Sequence, residues 1–149
     1  MKYVIGNVVE ASEDIICHGC NAQGAMGSGV AKAIRDKWPE VYDKYRDVYF
    51  KQGLNLGDCV LGFPKDDKTK IIGNLITQKE FGTYQRQVNY CAISKSLEKM
   101  MFVLGKLNSN IAIPRIGAGL GGGDWNIIES ILIDFEKMYD VEFVVYDLK

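Results

Sequence analysis

Short β-branched runs alternate with segments of helical period along the whole chain, and this alternation constrains the fold more than any other feature. Tyr3 to Ile5 and Asp14 to Cys20, the latter carrying Ile15-Ile16-Cys17, read as strands. Val30 to Lys37 reads as a helix that stops before Pro39, and a proline suits the first turn of a second helix over Glu40 to Gln52. Asp58 to Phe63 and Lys70 to Ile76 form an expected strand pair joined by the polar turn Pro64-Lys65-Asp66-Asp67. Ile93, Leu97, Met100, Met101 and Leu104 recur at helical spacing, and Ile111 to Ile113 is a short strand. Asp124 is placed to cap a helix from Trp125 to about Tyr139, and Val141 to Tyr146 closes the chain as a strand. With no repeat, linker or low-complexity tract, the pattern predicts an α/β fold: one domain over residues 1–149 with a mixed sheet between helices.

Composition excludes several functions. A chain of 149 residues buries about two-thirds of the surface its unfolded form exposes, enough for a single core. A formal charge of −1 gives no bulk attraction for polyanions. No apolar run approaches the ~20 residues that span a bilayer, and MKYVIGNVVE begins as a strand, so a cytoplasmic protein without a membrane partner is expected. Cys17, Cys20, Cys59 and Cys91 do not make a disulfide framework. The Cys17/Cys20 spacing is CxxC, but on an extended strand the two side chains point to opposite faces and cannot chelate one ion. No cysteine has an arginine six positions later, so the phosphatase loop built on a cysteine nucleophile is absent. No metal site and no cofactor is expected.

Two glycine-rich loops follow strands and lead into helices, Gly19 to Gly29 and Gly117 to Gly123. Glycine admits positive φ and close approach of a ligand to main-chain N–H groups, while a helix N-terminus offers unpaired donors. Together the two loops suit a diphosphate or two phosphoryl groups, although tight turns alone would also account for the glycines. The first loop continues Val30-Ala31 where a P-loop needs Lys-Ser/Thr. The second matches GxGxxG at Gly117, Gly119 and Gly122, but only one strand follows, leaving no room for a dinucleotide-binding half.

Gly6-Asn7 after the first strand, His18-Gly-Cys-Asn21-Ala-Gln-Gly-Ala-Met-Gly-Ser-Gly-Val-Ala31, and Ile113-Pro-Arg-Ile-Gly-Ala-Gly-Leu-Gly-Gly-Gly-Asp-Trp125 together resemble the macrodomain family, which binds ADP-ribose. The resemblance covers nearly the whole chain and implies a three-layer α/β/α sandwich with the ligand across the top of a mixed sheet. It places Gly6 and Asn7 at the adenine, with Asn7 where most relatives have an aspartate, so adenine binding should survive but weaken. It places Asn21 at the distal ribose and Gly27, Ser28, Gly29 and Val30 around the diphosphate. Ile116, Gly117, Ala118, Gly119, Leu120 and Gly121 match the second loop. Tyr146 lies near an aromatic that packs on adenine, with a core role as its alternative.

The family divides into readers, hydrolases that remove ADP-ribose from protein or nucleic acid, and phosphatases that convert ADP-ribose 1''-phosphate to ADP-ribose. His18 followed by Cys20-Asn21, with Phe81-Gly82 after an Ile-Thr strand end, looks like the phosphatase branch, in which His18 and Asn21 are the candidate catalytic residues. A histidine at a strand end beside a glycine loop could protonate a leaving oxygen or activate water near neutral pH. Its alternative is a structural histidine in the sheet. In the hydrolase branch a lysine follows the Ile-Thr strand, but here Gln78 stands there and Lys79 comes one residue later. The hydrolases' loop aspartate corresponds to Gly121, with Asp124 three residues on as helix cap or catalyst. Lys79 and Asp124 are thus the alternative catalytic pair.

A monomer is expected, with ADP-ribose or its 1''-phosphate as ligand and ADP-ribosylated protein or nucleic acid as further partners. Arg86, Lys95 and Lys99 offer only a modest basic face, offset by Glu98. Trp38 and Trp125 read as anchors of helices to the sheet.

Overall fold

The computed structural model describes residues 1–81, 87–105, 110–118 and 121–148. The described residues contain strands β1 (Lys2–Ile5), β2 (Ile15–Asn21), β3 (Cys59–Gly62), β4 (Ile71–Gln78), β5 (Ile111–Ile113) and β6 (Phe143–Asp147). They also contain helices α1 (Gly29–Lys37), α2 (Pro39–Gln52), α3 (Tyr90–Leu104) and α4 (Trp125–Tyr139). The strands form one sheet in the order β1-β6-β5-β2-β4-β3, parallel throughout except for the antiparallel pair β3/β4.

Both faces of the sheet are covered, which is why the central strands read as continuous apolar runs. Along β2, Ile15 and Cys17 face a core shared with α3 and α4, whereas Ile16 and Cys20 face α1 and α2. Cys17 and Cys20 therefore lie on opposite faces, as the extended-strand argument requires. On β4, Leu75 joins the α3/α4 core, and Ile72 and Ile76 join the other side. Ile16, Ile72, Leu75 and Ile76 are fully buried, each stabilising the fold by about 1.5–3 kcal/mol. A Cβ at Gly73 would stand 2.6 Å from Met100 Sδ, so bare backbone there lets α3 lie close on β4.

Sequence and structure differ at strand ends. β2 and β4 continue through Asn21 and Gln78, beyond the expected ends at Cys20 and Ile76, because these polar residues pair with each other after a register shift at Cys20/Asn21. A 3₁₀ turn at Val8–Glu10 was also not expected from the sequence; Asn7 Oδ1 starts it by accepting the Val9 N–H at 3.2 Å. Trp38 is buried between α1 and α2, and its indole N–H donates to Asp66 at 3.2 Å.

Candidate active site

The carboxyl ends of β2, β4 and β5 and the amino end of α1 surround a cleft of about 650 Å³. That volume suits a small-molecule site, which typically spans roughly 300–1,000 Å³. Gly27 to Ala31 line one side and Ile116, Gly117 and Gly121 the other, with His18 to Asn21, Thr77 and Gln78 between them. The two glycine loops thus meet across one space, although they are about ninety residues apart in sequence.

The first loop is held by Asn21 from inside. Asn21 Oδ1 accepts the N–H groups of Gln23 at 3.0 Å and Ala25 at 3.3 Å, while Nδ2 donates to the Ala25 carbonyl at 2.8 Å. The buried Tyr45 hydroxyl donates to the same residue. Asn21 borders the cleft, and its amide is engaged with the loop backbone. Gly24 needs its glycine: φ is +74°, and a Cβ would meet Tyr49 Cδ2 at 2.7 Å. Beyond it, the amides of Gly29, Val30 and Ala31 have no intrahelical acceptor and carry the partial positive charge of the α1 N-terminus.

The second loop folds on itself. The Gly123 N–H donates to the Gly117 carbonyl at 2.6 Å, and the Gln87 and Val88 amides donate to the Gly121 carbonyl at 2.8 and 3.2 Å. Ala118 packs against the core below this loop rather than lining the cleft. Gly119 and Leu120 lie outside the described residues, as do Gly82 and Arg86.

His18 borders the cleft yet is only 1% exposed. Its Nε2 lies 2.6 Å from Asn74 Oδ1, and Cys20 Sγ is 3.6 Å from Nε2 and 3.9 Å from Nδ1. Burial, opposed by the Asn74 hydrogen bond, pushes the imidazole pKa down from 6.5 to about 4. The ring is therefore neutral at neutral pH. A neutral ring at that pH is a form suited to accept a proton rather than to protonate a leaving oxygen. Cys20 has its thiol pKa raised by burial, so it stays protonated and is no nucleophile.

The other expected residues separate cleanly. Gln78 lines the cleft, its Nε2 donating to the Glu80 carbonyl at 2.7 Å, whereas Lys79 is exposed outside it. Asp124 caps α4 by accepting the Asn126 N–H at 2.9 Å and does not line the cleft. Ser28 borders the cleft without making a side-chain cap bond. Gly6, Asn7 and Tyr146 stand to one side, at the ends of β1 and β6, with the Tyr146 hydroxyl donating to Glu13. They connect to the cleft through Asp147, whose carbonyl accepts the Gly6 N–H and whose carboxylate takes a bidentate bond from Arg115 at 2.7 and 3.0 Å.

Arg115 and Thr77 also line the cleft, and neither is among the site residues expected from the sequence. Arg115 lies 5.2 Å from each of the Tyr3 and Trp125 ring centres. Thr77 is 1% exposed, and its hydroxyl, without a hydrogen-bond partner among the described residues, sits where a Cβ on Gly19 would approach to 2.8 Å. Position at or just past the carboxyl end of a parallel strand is the signal that could have found both.

A cleft lined by two glycine loops, at the carboxyl edge of a sheet packed between helix pairs, defines an α/β/α domain suited to a phosphorylated ligand. The Macro domain family matches residues 17–132, and the chain belongs to that family. It is 28% identical over 178 residues to the ADP-ribose 1''-phosphate phosphatase of Candida glabrata, covering 99% of this chain and 98% of that one. It is 27% identical over 149 residues to the DNA ADP-ribosyl glycohydrolase of Mycobacterium tuberculosis, covering 98% of this chain but only 42% of that protein. The macrodomain of Mycobacterium tuberculosis DarG superposes with a TM-score of 0.83 at 25% identity, covering 97% of this chain and 95% of that one.

Proposed function

We propose that residues 1–149 act as a single, monomeric domain that binds ADP-ribose and hydrolyses ADP-ribose 1''-phosphate to ADP-ribose and inorganic phosphate. The observation that carries this reading is the content of the cleft: a neutral, buried His18 and Gln78 line it, and Lys79 does not. End-to-end similarity to a fungal protein of that named activity supports it.

The cleft offers the two things such a reaction needs. Main-chain amides at the α1 N-terminus border the cleft without intrahelical acceptors and are free to donate to phosphoryl oxygens, opposite Gly117 and Gly121 of the second loop. Neutral His18 can accept a proton from water as its oxygen attacks phosphorus and the bond from phosphorus to the ribose oxygen breaks. The leaving oxygen takes its proton from solvent, and the proton on His18 returns to solvent afterwards. Gly6, Asn7 and Tyr146 would serve the adenine, reached past Arg115.

Removal of ADP-ribose from DNA is the second reading, favoured by the mycobacterial relative of that name. Phosphorus NMR of ADP-ribose 1''-phosphate with wild type and His18→Ala separates the two. Release of inorganic phosphate with the diphosphate signals preserved, and its loss in the variant, is expected. Line broadening without release would overturn the phosphatase reading, and ADP-ribosylated DNA would then be the substrate to test.

A further inference from the structure

The only histidine in the chain lies in a buried row that crosses three strands. His18 on β2 is in register with Asn74 on β4, and Asn74 is in register with Val60 on β3. Asn74 is fully buried, His18 is 1% exposed and Val60 7%. The fully buried Asn74 amide is cut off from water, so both of its polar ends must find partners within the row.

That requirement fixes every proton. The Val60 carbonyl can only accept, and the Asn74 side chain reaches it at 3.0 Å, so the group facing Val60 is the Nδ2 amide. Asn74 Oδ1 then faces the ring and is the atom 2.6 Å from His18 Nε2. Turning the amide over would set two carbonyl oxygens against each other with no proton between them. An oxygen at 2.6 Å demands a donor, and the neutral ring has one N–H, which must be on Nε2. The Cys20 thiol leaves this assignment standing: it lies 3.9 Å from both Asn74 Oδ1 and His18 Nδ1, long contacts that fit the same tautomer, and at 3.6 Å from Nε2 it would have to donate to a lone pair already pressed against an oxygen.

We propose that Asn74 is a positioning residue that locks His18 in the tautomer protonated at Nε2, leaving Nδ1 as the ring's one proton acceptor. This rests on the reading of His18 as the base. In the opposite tautomer the proton would occupy Nδ1 and the acceptor would face Asn74, which is fully buried and does not line the cleft. Asn74 would thus set which nitrogen does the work without touching the ligand, and the Val60 carbonyl would set Asn74.

The solitary imidazole makes the test direct. In ¹⁵N-labelled wild type at pH 7, two-bond ¹H–¹⁵N correlation spectra should show Nδ1 unprotonated and Nε2 bearing the proton. Protonated Nδ1, or two nitrogens averaged between the tautomers, would overturn the assignment. Asn74→Leu should release the ring into tautomer averaging and lower kcat by roughly 10- to 100-fold with little change in KM. Asn74→Asp, as a neutral acid able to donate to Val60 and accept from Nε2, should keep the Nε2–H signature and most of kcat. Wild-type kcat in a folded Asn74→Leu would overturn the positioning role. If the wild type releases no phosphate, the phosphatase reading fails separately, and the wild-type and variant spectra still decide the tautomer and its cause.

Discussion

His18 should make this fold sensitive to mild acid, and the size of the effect follows from its burial. The imidazole titrates near 6.5 in the unfolded chain and at about 4 in the folded one, chiefly because charging it means placing a cation inside the sheet. Between those values the unfolded chain binds a proton that the folded chain refuses, so stability is full above pH 6.5 and falls as pH drops toward 4. The interval is about 2.5 pH units, and at ~1.36 kcal/mol per unit the loss is about 3 kcal/mol. Below pH 4 both states are protonated and the loss is complete. Against a total stability of about 5–15 kcal/mol this is a large share, equivalent to roughly 6–12 °C in Tm. The assay is urea unfolding of wild type and His18→Gln at closely spaced pH values from 7.5 to 4. Asp36, Glu40 and Asp67, held low by Lys32, the Lys65 N–H and Thr69 respectively, titrate alike in both proteins and cancel. The stability of wild type relative to the variant should fall by about 3 kcal/mol across that range. Parallel curves, or an imidazole that titrates near 6.5 by NMR in the folded protein, would refute the reasoning.

Three further outcomes are expected. Thr77→Val removes a buried hydroxyl that has no partner among the described residues, so the ligand-free protein should be unchanged or more stable by about 1 kcal/mol in chemical denaturation. Asp124→Ala should cost about 1 kcal/mol through loss of the α4 cap, with ADP-ribose affinity by calorimetry within about twofold of wild type. Lys79→Ala, altering an exposed residue outside the cleft, should leave phosphate release from ADP-ribose 1''-phosphate unchanged; a tenfold loss would bring Lys79 back into the chemistry.

Much of this protein is legible residue by residue. The helices over 29–37, 39–52 and 125–139 follow from period, proline at a first turn and an aspartate cap, all of which act within a few residues. The two glycine loops are equally local, since positive φ at Gly24 and Gly117 is a property of those residues and their immediate turns. The antiparallel pairing of β3 with β4 was likewise set by a short polar turn. Tertiary structure decided the rest because it depends on partners distant in sequence. Strand order brings His18, Asn74 and Val60 into one row, and no spacing in the chain reports that register. Whether Gln78 or Lys79 enters the cleft turns on one extra pair of ladder residues at the end of β4, which local propensity does not specify. The charge state of His18 depends on the layers packed over it, since desolvation is produced only by the assembled fold. The sequence by itself thus determined which segments could cradle a ligand; the assembled sheet decided which side chains meet there and which proton each one holds.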